Sequence, residues 1–405
     1  MPAAALRNGG TYRRVKDMRH TSPRTPESPA LESPALAGSV QLRRLSAVPP
    51  AEQEAVRQRW SLEVRRGGLL RLAPGVYVPP EQWLRAAPWD RHVIALAARA
   101  SSAGGSLFCR ESALALWGVP LFRVPSELSL RASSRGKVGR RPLRPLTGAA
   151  STETVSLLLA AHQRHDGVRM RPSAPRDLRG FPVRRVAPVR ADGAGHPSEV
   201  QVAPTRLDLR HFPWLRGGPP GVDVEPLAFA VLDTVAESSL PAATVILDAV
   251  LAGRTGRKDQ LSVPDLAGWS ELLRTRRRRQ RWSETLEFAD ADAESPGESA
   301  ARALIHELGF EVPQLQRRYT LPNGRGARVD FAWDRVVAEF DGMVKYQGAR
   351  ELSGMSPEAA VAAEKEREDG LRALGLIVVR IVWADLLRPE RLYQKLLRAG
   401  VPRQA

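Results

Sequence analysis

The sequence predicts a multidomain α/β protein whose chemistry lies near its C-terminal end. Three observations lead there. The 405 residues give room for two or three domains of ordinary size. The front of the chain holds a helix and a tight hairpin, followed by a mainly helical and irregular middle. The last stretch alternates helical and strand patterns, as an α/β domain does.

Residues 1–38 are rich in Pro, Ser, Thr and Arg and repeat ESPAL at 27–31 and 32–36. They offer little apolar surface to bury and are expected to form a disordered tail. Residues 50–66, PAEQEAVRQRWSLEVRR, read as a helix opened by proline and stopped at Gly67-Gly68. LLRLAPGVYVP then reads as a hairpin turning at Ala73-Pro74-Gly75. A basic helix followed by a basic hairpin is the pattern of a winged helix, placed over 39–125. Arg57, Arg59, Arg65, Arg66 and Arg71 are its candidate phosphate contacts. A helix–hairpin packing unit with an arginine-rich solvent face fits the same residues. Two further helices are expected within 89–118, separated by Gly104-Gly105.

Prolines and glycines break up 124–221, where short apolar pieces imply irregular β structure. Helical periodicity returns over 225–253. RTRRRRQR at 274–281 closes the middle region, 126–285, as a basic linker. Arg276, Arg277, Arg278 and Arg279 there are candidates to lie along a phosphate backbone; a solvated charge run is the plainer meaning.

The net charge is +17 and the pI near 11.0, a balance that points to polyanionic partners, chiefly nucleic acid. Residues 294–405 carry 17 basic and 16 acidic side chains, so the excess lies in the front of the chain. Only six basic residues are lysine, which implies that part of the arginine excess is codon bias. No apolar run is long enough for a membrane span, and no secretory leader is apparent. The one cysteine, Cys109, excludes an internal disulfide framework and a thiolate zinc site. The expected compartment is the cytoplasm.

The C-terminal domain, 286–405, opens with ESPGESAARALIHELGF. Ser295, Pro296 and Glu298 form a capping box, so a helix should run from 296 to 308, with Glu298 bonding back to the Ser295 amide. VDFAWDRVVAEFDGMVKYQG follows at 329–348. With the chain turning at Asp334-Arg335, Trp333 faces Val336, Phe331 faces Ala338 and Asp330 faces Glu339. Opposed β-carbons lie about 4.5–5.5 Å apart. Asp330, Glu339 and Asp341 then share one face. Facing acids destabilise a ladder unless solvent, a basic group or a cation offsets them. Hard oxygen ligands suit Mg²⁺ (or Mn²⁺), which can activate water against a phosphodiester. Lys345 is the candidate for stabilising the developing charge. The plainer reading is a hairpin with a wet acidic face. A helix ending at Gly375, the near-continuous apolar strand LIVVRIVW and a helix over 389–399 complete the domain. Glu364, Glu368 and Arg372 read as a salt-bridged helix surface, and Arg380 as an arginine in need of a partner.

ESPGESAAR, PQLQ, RVDFAW, AEFDGMVKY, LRALG and VVRIVW, in this order, resemble the endonuclease-like domains related to very-short-patch-repair endonucleases, within the PD-(D/E)xK superfamily. The resemblance covers 294–398. It implies a restriction-endonuclease-like α/β fold with a Mg²⁺-dependent phosphodiesterase site. Asp330, Glu339 and Asp341 would be its strand acids and Glu298 its helix acid. The superfamily's lysine two residues after the second acid is here Asp341, with Lys345 as stand-in. RRGGLLRLAPGVYVPP and the later helices resemble AbiEi-type antitoxins over roughly 40–250, which implies a DNA-binding winged helix. The expected function is a metal-dependent DNA endonuclease directed by the basic front. The alternatives are an antitoxin-like DNA-binding regulator with an inactive nuclease-like domain, and a nuclease acting on RNA.

Overall fold

The computed structural model describes residues 39–102, 106–142, 145–165, 175–192, 197–199, 202–342 and 357–404. The tail expected over 1–38 and the candidate Lys345 lie outside them. The described residues form a mixed α/β protein. In chain order the front contains β1 (Val40–Gln41), β2 (Arg43–Arg44), α1 (Gln53–Arg65), β3 (Leu70–Ala73), β4 (Val76–Val78), α2 (Pro80–Arg85), α3 (Pro88–Ser102), β5 (Leu107–Phe108) and α4 (Arg110–Trp117). Next come β6 (Leu128–Arg131), β7 (Gly139–Arg141), α5 (Thr152–His165), β8 (Val183–Val186), β9 (Arg190–Asp192), β10 (Pro197–Glu199), β11 (Thr205–Leu207), β12 (Leu215–Arg216) and β13 (Val222–Val224). The helices α6 (Leu227–Val235), α7 (Leu240–Leu251), α8 (Val263–Ala267) and α9 (Arg276–Phe288) follow.

The expected hairpin is present as β3–β4, and β2 joins it in a three-stranded sheet, order β2-β4-β3. Val56, Trp60 and Val64, four residues apart on α1, bury against Leu69 and Tyr77 of the hairpin. Trp60 meets the Tyr77 ring edge-on at 5.2 Å. Irregular β structure over 124–221 is only part of what is found. That stretch also forms helix α5 and supplies strands to a six-stranded sheet, order β11-β13-β5-β6-β8-β7. One hydrophobic core runs from Val40 to Trp282 and draws on both 39–125 and 126–285. The arginine run 274–281 leads into α9, which starts at Arg276 and buries Trp282 and Thr285.

The C-terminal unit has the order α10 (Pro296–Glu307), β14 (Gln314–Thr320), β15 (Gly326–Ala332), β16 (Val336–Asp341), α11 (Pro357–Ala373), β17 (Ile377–Val382), α12 (Trp383–Leu386) and α13 (Pro389–Ala399). Its sheet runs β14-β15-β16-β17, with β16 and β17 parallel and the other neighbours antiparallel. A parallel neighbour needs a crossover, which α11 supplies. Ser295 caps α10, accepting the Glu298 amide on Oγ at 3.2 Å. Gly297 lets α10 sit directly on the sheet, because a β-carbon there would fall 1.9 Å from the Phe340 ring. The front and back units are joined by α7 and α10. Val245 of α7 lies in the C-terminal core. Asp248 and Arg302, both buried, form an ion pair with N–O distances of 2.9 and 3.1 Å. No described helix is long and apolar enough to cross a membrane.

Candidate active site

Next to the turn the register is the one worked from the sequence, and the expected pairs Asp330–Glu339 and Arg328–Asp341 lie beyond the ladder. Phe331 pairs with Ala338 and Ala332 with Val337, and the Trp333 amide donates to Val336 O at 2.8 Å to close the turn. The β15–β16 pairing ends at Phe331. Beyond it, Asp330 Oδ2 accepts the Phe340 amide at 2.8 Å. The strands thus exchange a main-chain link for a carboxylate link at Asp330, in place of the expected Asp330–Glu339 pair.

Asp330 belongs to a polar group that also includes buried Glu298 and half-buried Gln316, Asp330 itself being half-buried. Glu298 Oε1 accepts the Ser295 hydroxyl at 2.7 Å and Oε2 accepts the Glu294 amide at 2.9 Å. The expected bond to the Ser295 amide is therefore replaced by one to the preceding residue's amide and one to the Ser295 hydroxyl. Burial, and then the charge of Asp330, push the Glu298 carboxyl up to about 7. Gln316 Nε2 bridges the two acids, donating to Glu298 Oε2 at 2.9 Å and to Asp330 Oδ1 at 3.4 Å. Gln316 lies between the pairs Leu315–Phe331 and Arg317–Val329, opposite Asp330, and its φ is +54°. That left-handed conformation is strained for a residue with a side chain. Its Oε1 is buried and has no hydrogen-bond partner among the described residues.

The other acids are engaged by arginines. Arg367 of α11 donates to both Glu339 oxygens, one at 2.6 Å, and to Glu364 at 2.8 and 3.0 Å. These carboxylates raise the Arg367 guanidinium above its ordinary value, led by the Glu339 hydrogen bonds. Arg380 finds the partners its position calls for: Glu364 at 2.7 Å, Glu368 at 2.8 Å and Asp341 at 4.0 Å. Arg372 pairs with Glu368 at 2.5 Å, so that part of the helix surface is salt-bridged as expected. Glu364 and Glu368 also serve an inward task, holding Arg380.

Sequence reasoning named the acids and missed Gln316 and Arg367. Nothing in PQLQ marks a left-handed glutamine. Arg367 carried only the weak signal of its spacing from Glu364.

The donor set at Asp330, Glu339, Asp341 and Glu298 is made of hard oxygens, the chemistry Mg²⁺ or Mn²⁺ takes. The Glu298–Asp330 pair is one that a cation would relieve. In the arrangement seen, Glu339 is held by Arg367, and among the described residues no three His, Cys, Asp or Glu side chains are grouped to hold an ion.

The basic candidates divide. Arg57, Arg59, Arg65, Arg66 and Arg71 are exposed on the α1–hairpin unit, Arg57 pairing with Glu54 at 2.6 Å. Arg276 and Arg277 are exposed at the start of α9. Arg278 turns inward to buried Asp233 at 2.5 Å, beside Arg110 and Arg131, which pair with the same carboxylate. Arg279 donates to the carbonyls of Leu273 and Arg274. The run is thus partly a structural clasp, since a buried carboxylate needs compensating charge.

The chain is similar to two Mycobacterium tuberculosis proteins, Uncharacterized protein MT2308 (strain CDC 1551 / Oshkosh) and Uncharacterized protein Rv2248 (strain ATCC 25618 / H37Rv). Each is 28% identical over 347 residues, which is 84% of this chain and 96% of the relative. The match therefore spans both units. No family model matches the chain, and no solved structure matches it.

Proposed function

We propose that the protein is a metal-dependent DNA endonuclease, directed to DNA by its basic front. The observation that carries this is Asp330 on an inner strand of a sheet in the order α10-β14-β15-β16-α11-β17, its carboxylate accepting the Phe340 amide of β16 and bridged by Gln316 to buried Glu298. The reading also rests on the resemblance to PD-(D/E)xK endonucleases carried by these residues. Asp330, Glu339 and Asp341, with Glu298 beside them, would hold Mg²⁺ or Mn²⁺, once Arg367 leaves Glu339 and keeps Glu364. Such an ion supplies an activated water and stabilises charge on a phosphodiester. Gln316 holds Glu298 and Asp330 in register, and Arg367 and Arg380 bring positive charge to a face that would otherwise repel phosphate. The near-neutral C-terminal unit leaves affinity for the polyanion to the front.

One observation favours a second reading, a DNA-binding regulator of antitoxin type with an inactive nuclease-like unit: both Glu339 oxygens are occupied by Arg367. Incubation of the purified chain with labelled duplex, single-stranded DNA and RNA, with Mg²⁺, Mn²⁺ or chelator, separates the two. Metal-dependent scission of DNA supports the enzyme, and binding without scission in any metal supports the regulator.

A further inference from the structure

The six-stranded sheet of the front unit ends in two short arginine-bearing strands. Gly139 pairs with Arg185, Arg140 with Arg184 and Arg141 with Val183. Opposed residues share a face and alternate residues return to it. Arg141 and Arg185 therefore lie on one face, and Arg140 and Arg184 on the other. The second pair shares one counter-charge, since Glu127 takes Arg140 at 3.1 Å and Arg184 at 3.2 Å.

The first pair meets a third arginine. Leu128 and Leu130, on that same face, are buried, and α3 packs over it. His92 of α3 contacts the Phe181 ring edge-on at 5.1 Å, just before β8 begins. Arg99 lies seven residues beyond His92, on the same side of the helix and about 10 Å along it. Arg185 lies four residues beyond Phe181, about 13 Å along its strand. From that shared contact both elements advance by comparable lengths, and Arg185 lies close enough to act on the Arg99 charge. Arg99 is half-buried, and its Nε has no hydrogen-bond partner among the described residues. Burial, then the charges of Arg185 and Arg141, hold its guanidinium below the ordinary value. Among the described residues none of the three has a carboxylate partner. Among the described residues β7 is the terminal strand of its sheet, and its three residues are exposed.

Guanidinium groups close enough to repel one another, with no carboxylate among them, cost stability in the free protein, and an anion that accepts from them recovers it. We propose that Arg99, Arg141 and Arg185 form a phosphate-binding site that takes the backbone of a nucleic acid along the β7 edge. The site is separate from the α1–hairpin arginines and independent of whether the C-terminal unit cleaves.

The test measures binding of a fluorescent 20-base-pair duplex by anisotropy, in chelator, from 50 to 200 mM salt. The full chain is compared with the triple variant Arg99→Gln/Arg141→Gln/Arg185→Gln and the control Arg140→Gln/Arg184→Gln. Three lost phosphate contacts lower the salt slope by about 2.7, with affinity falling roughly tens- to hundreds-fold, and the control loses less than about half a unit of slope. The thermal midpoint of the triple variant should equal or exceed that of the native chain, because repulsion is removed; a purely structural role predicts the reverse. Inorganic phosphate provides the second arm. Stabilisation of the native chain but not the triple variant, with duplex slopes unchanged, assigns the site to free phosphate instead of nucleic acid. Equal slopes together with equal responses to phosphate overturn the site.

Discussion

Removing Arg302 tests the joint between the two units. Asp248 is fully buried and Arg302 is 3% exposed, so Arg302→Met leaves a buried carboxylate without its counter-charge. Breaking a buried pair by removing one partner costs about 3–5 kcal/mol. The Phe288 carbonyl also loses its 2.6 Å donor. At about 2–4 °C per kcal/mol for a unit of this size, the thermal midpoint should fall by roughly 6–20 °C. Arg302→Met/Asp248→Asn should recover most of that. The asparagine carries no charge and still offers an oxygen to the Asp290 amide, which Asp248 now accepts at 2.8 Å. The assay is thermal and urea unfolding of the two single variants, the double variant and the native chain, followed by tryptophan fluorescence, Trp282 and Trp333 being buried in the respective units. A single-variant shift below about 2 °C, or a double variant no better than Arg302→Met, would refute the reasoning.

Three further outcomes are expected. Gly297→Ala should destabilise by about 1–3 kcal/mol, because its β-carbon collides with Phe340; with Phe340→Leu the losses should be less than additive in denaturant titrations. Burial holds His92 down to about 4, below its unfolded value of 6.5. Its neutral form then supports the fold above pH 6.5, and that support is lost as pH falls towards 4, by about 3 kcal/mol at ~1.4 kcal/mol per unit. His92→Gln should flatten this window in urea midpoints taken at pH 7 and pH 5. Arg367→Met frees both Glu339 oxygens, so Mn²⁺ binding measured by calorimetry should tighten by about tenfold.

What could be read from the sequence follows from which signals are local. The β15–β16 register came from alternation and one polar turn pair, and strands with a period of two leave little freedom once a face is buried. The α10 capping box was equally plain, yet its glutamate chose the Glu294 amide because Gln316 draws that carboxylate towards the sheet. Gln316, Arg367 and Arg278 owe their roles to partners 18, 28 and 45 residues away, which no spacing rule marks. Helix α5 was hidden by the prolines and glycines around it. The arginine run at 274–281 looked like a linker because its anchor, Asp233, lies on another helix. The Arg99 cluster needed strand pairing between 139–141 and 183–185, across intervening helix and loops.

The most direct measurement is scission of a supercoiled plasmid and a labelled duplex by the native chain and by Asp330→Ala, each with Mg²⁺, Mn²⁺ or chelator. The account predicts cleavage by the native chain only with metal. It also predicts a loss of at least about a hundredfold in Asp330→Ala, or ~2.7 kcal/mol of barrier. A native chain that binds the duplex and leaves it intact in both metals, or an Asp330→Ala variant that cuts as fast as the native chain, would contradict it.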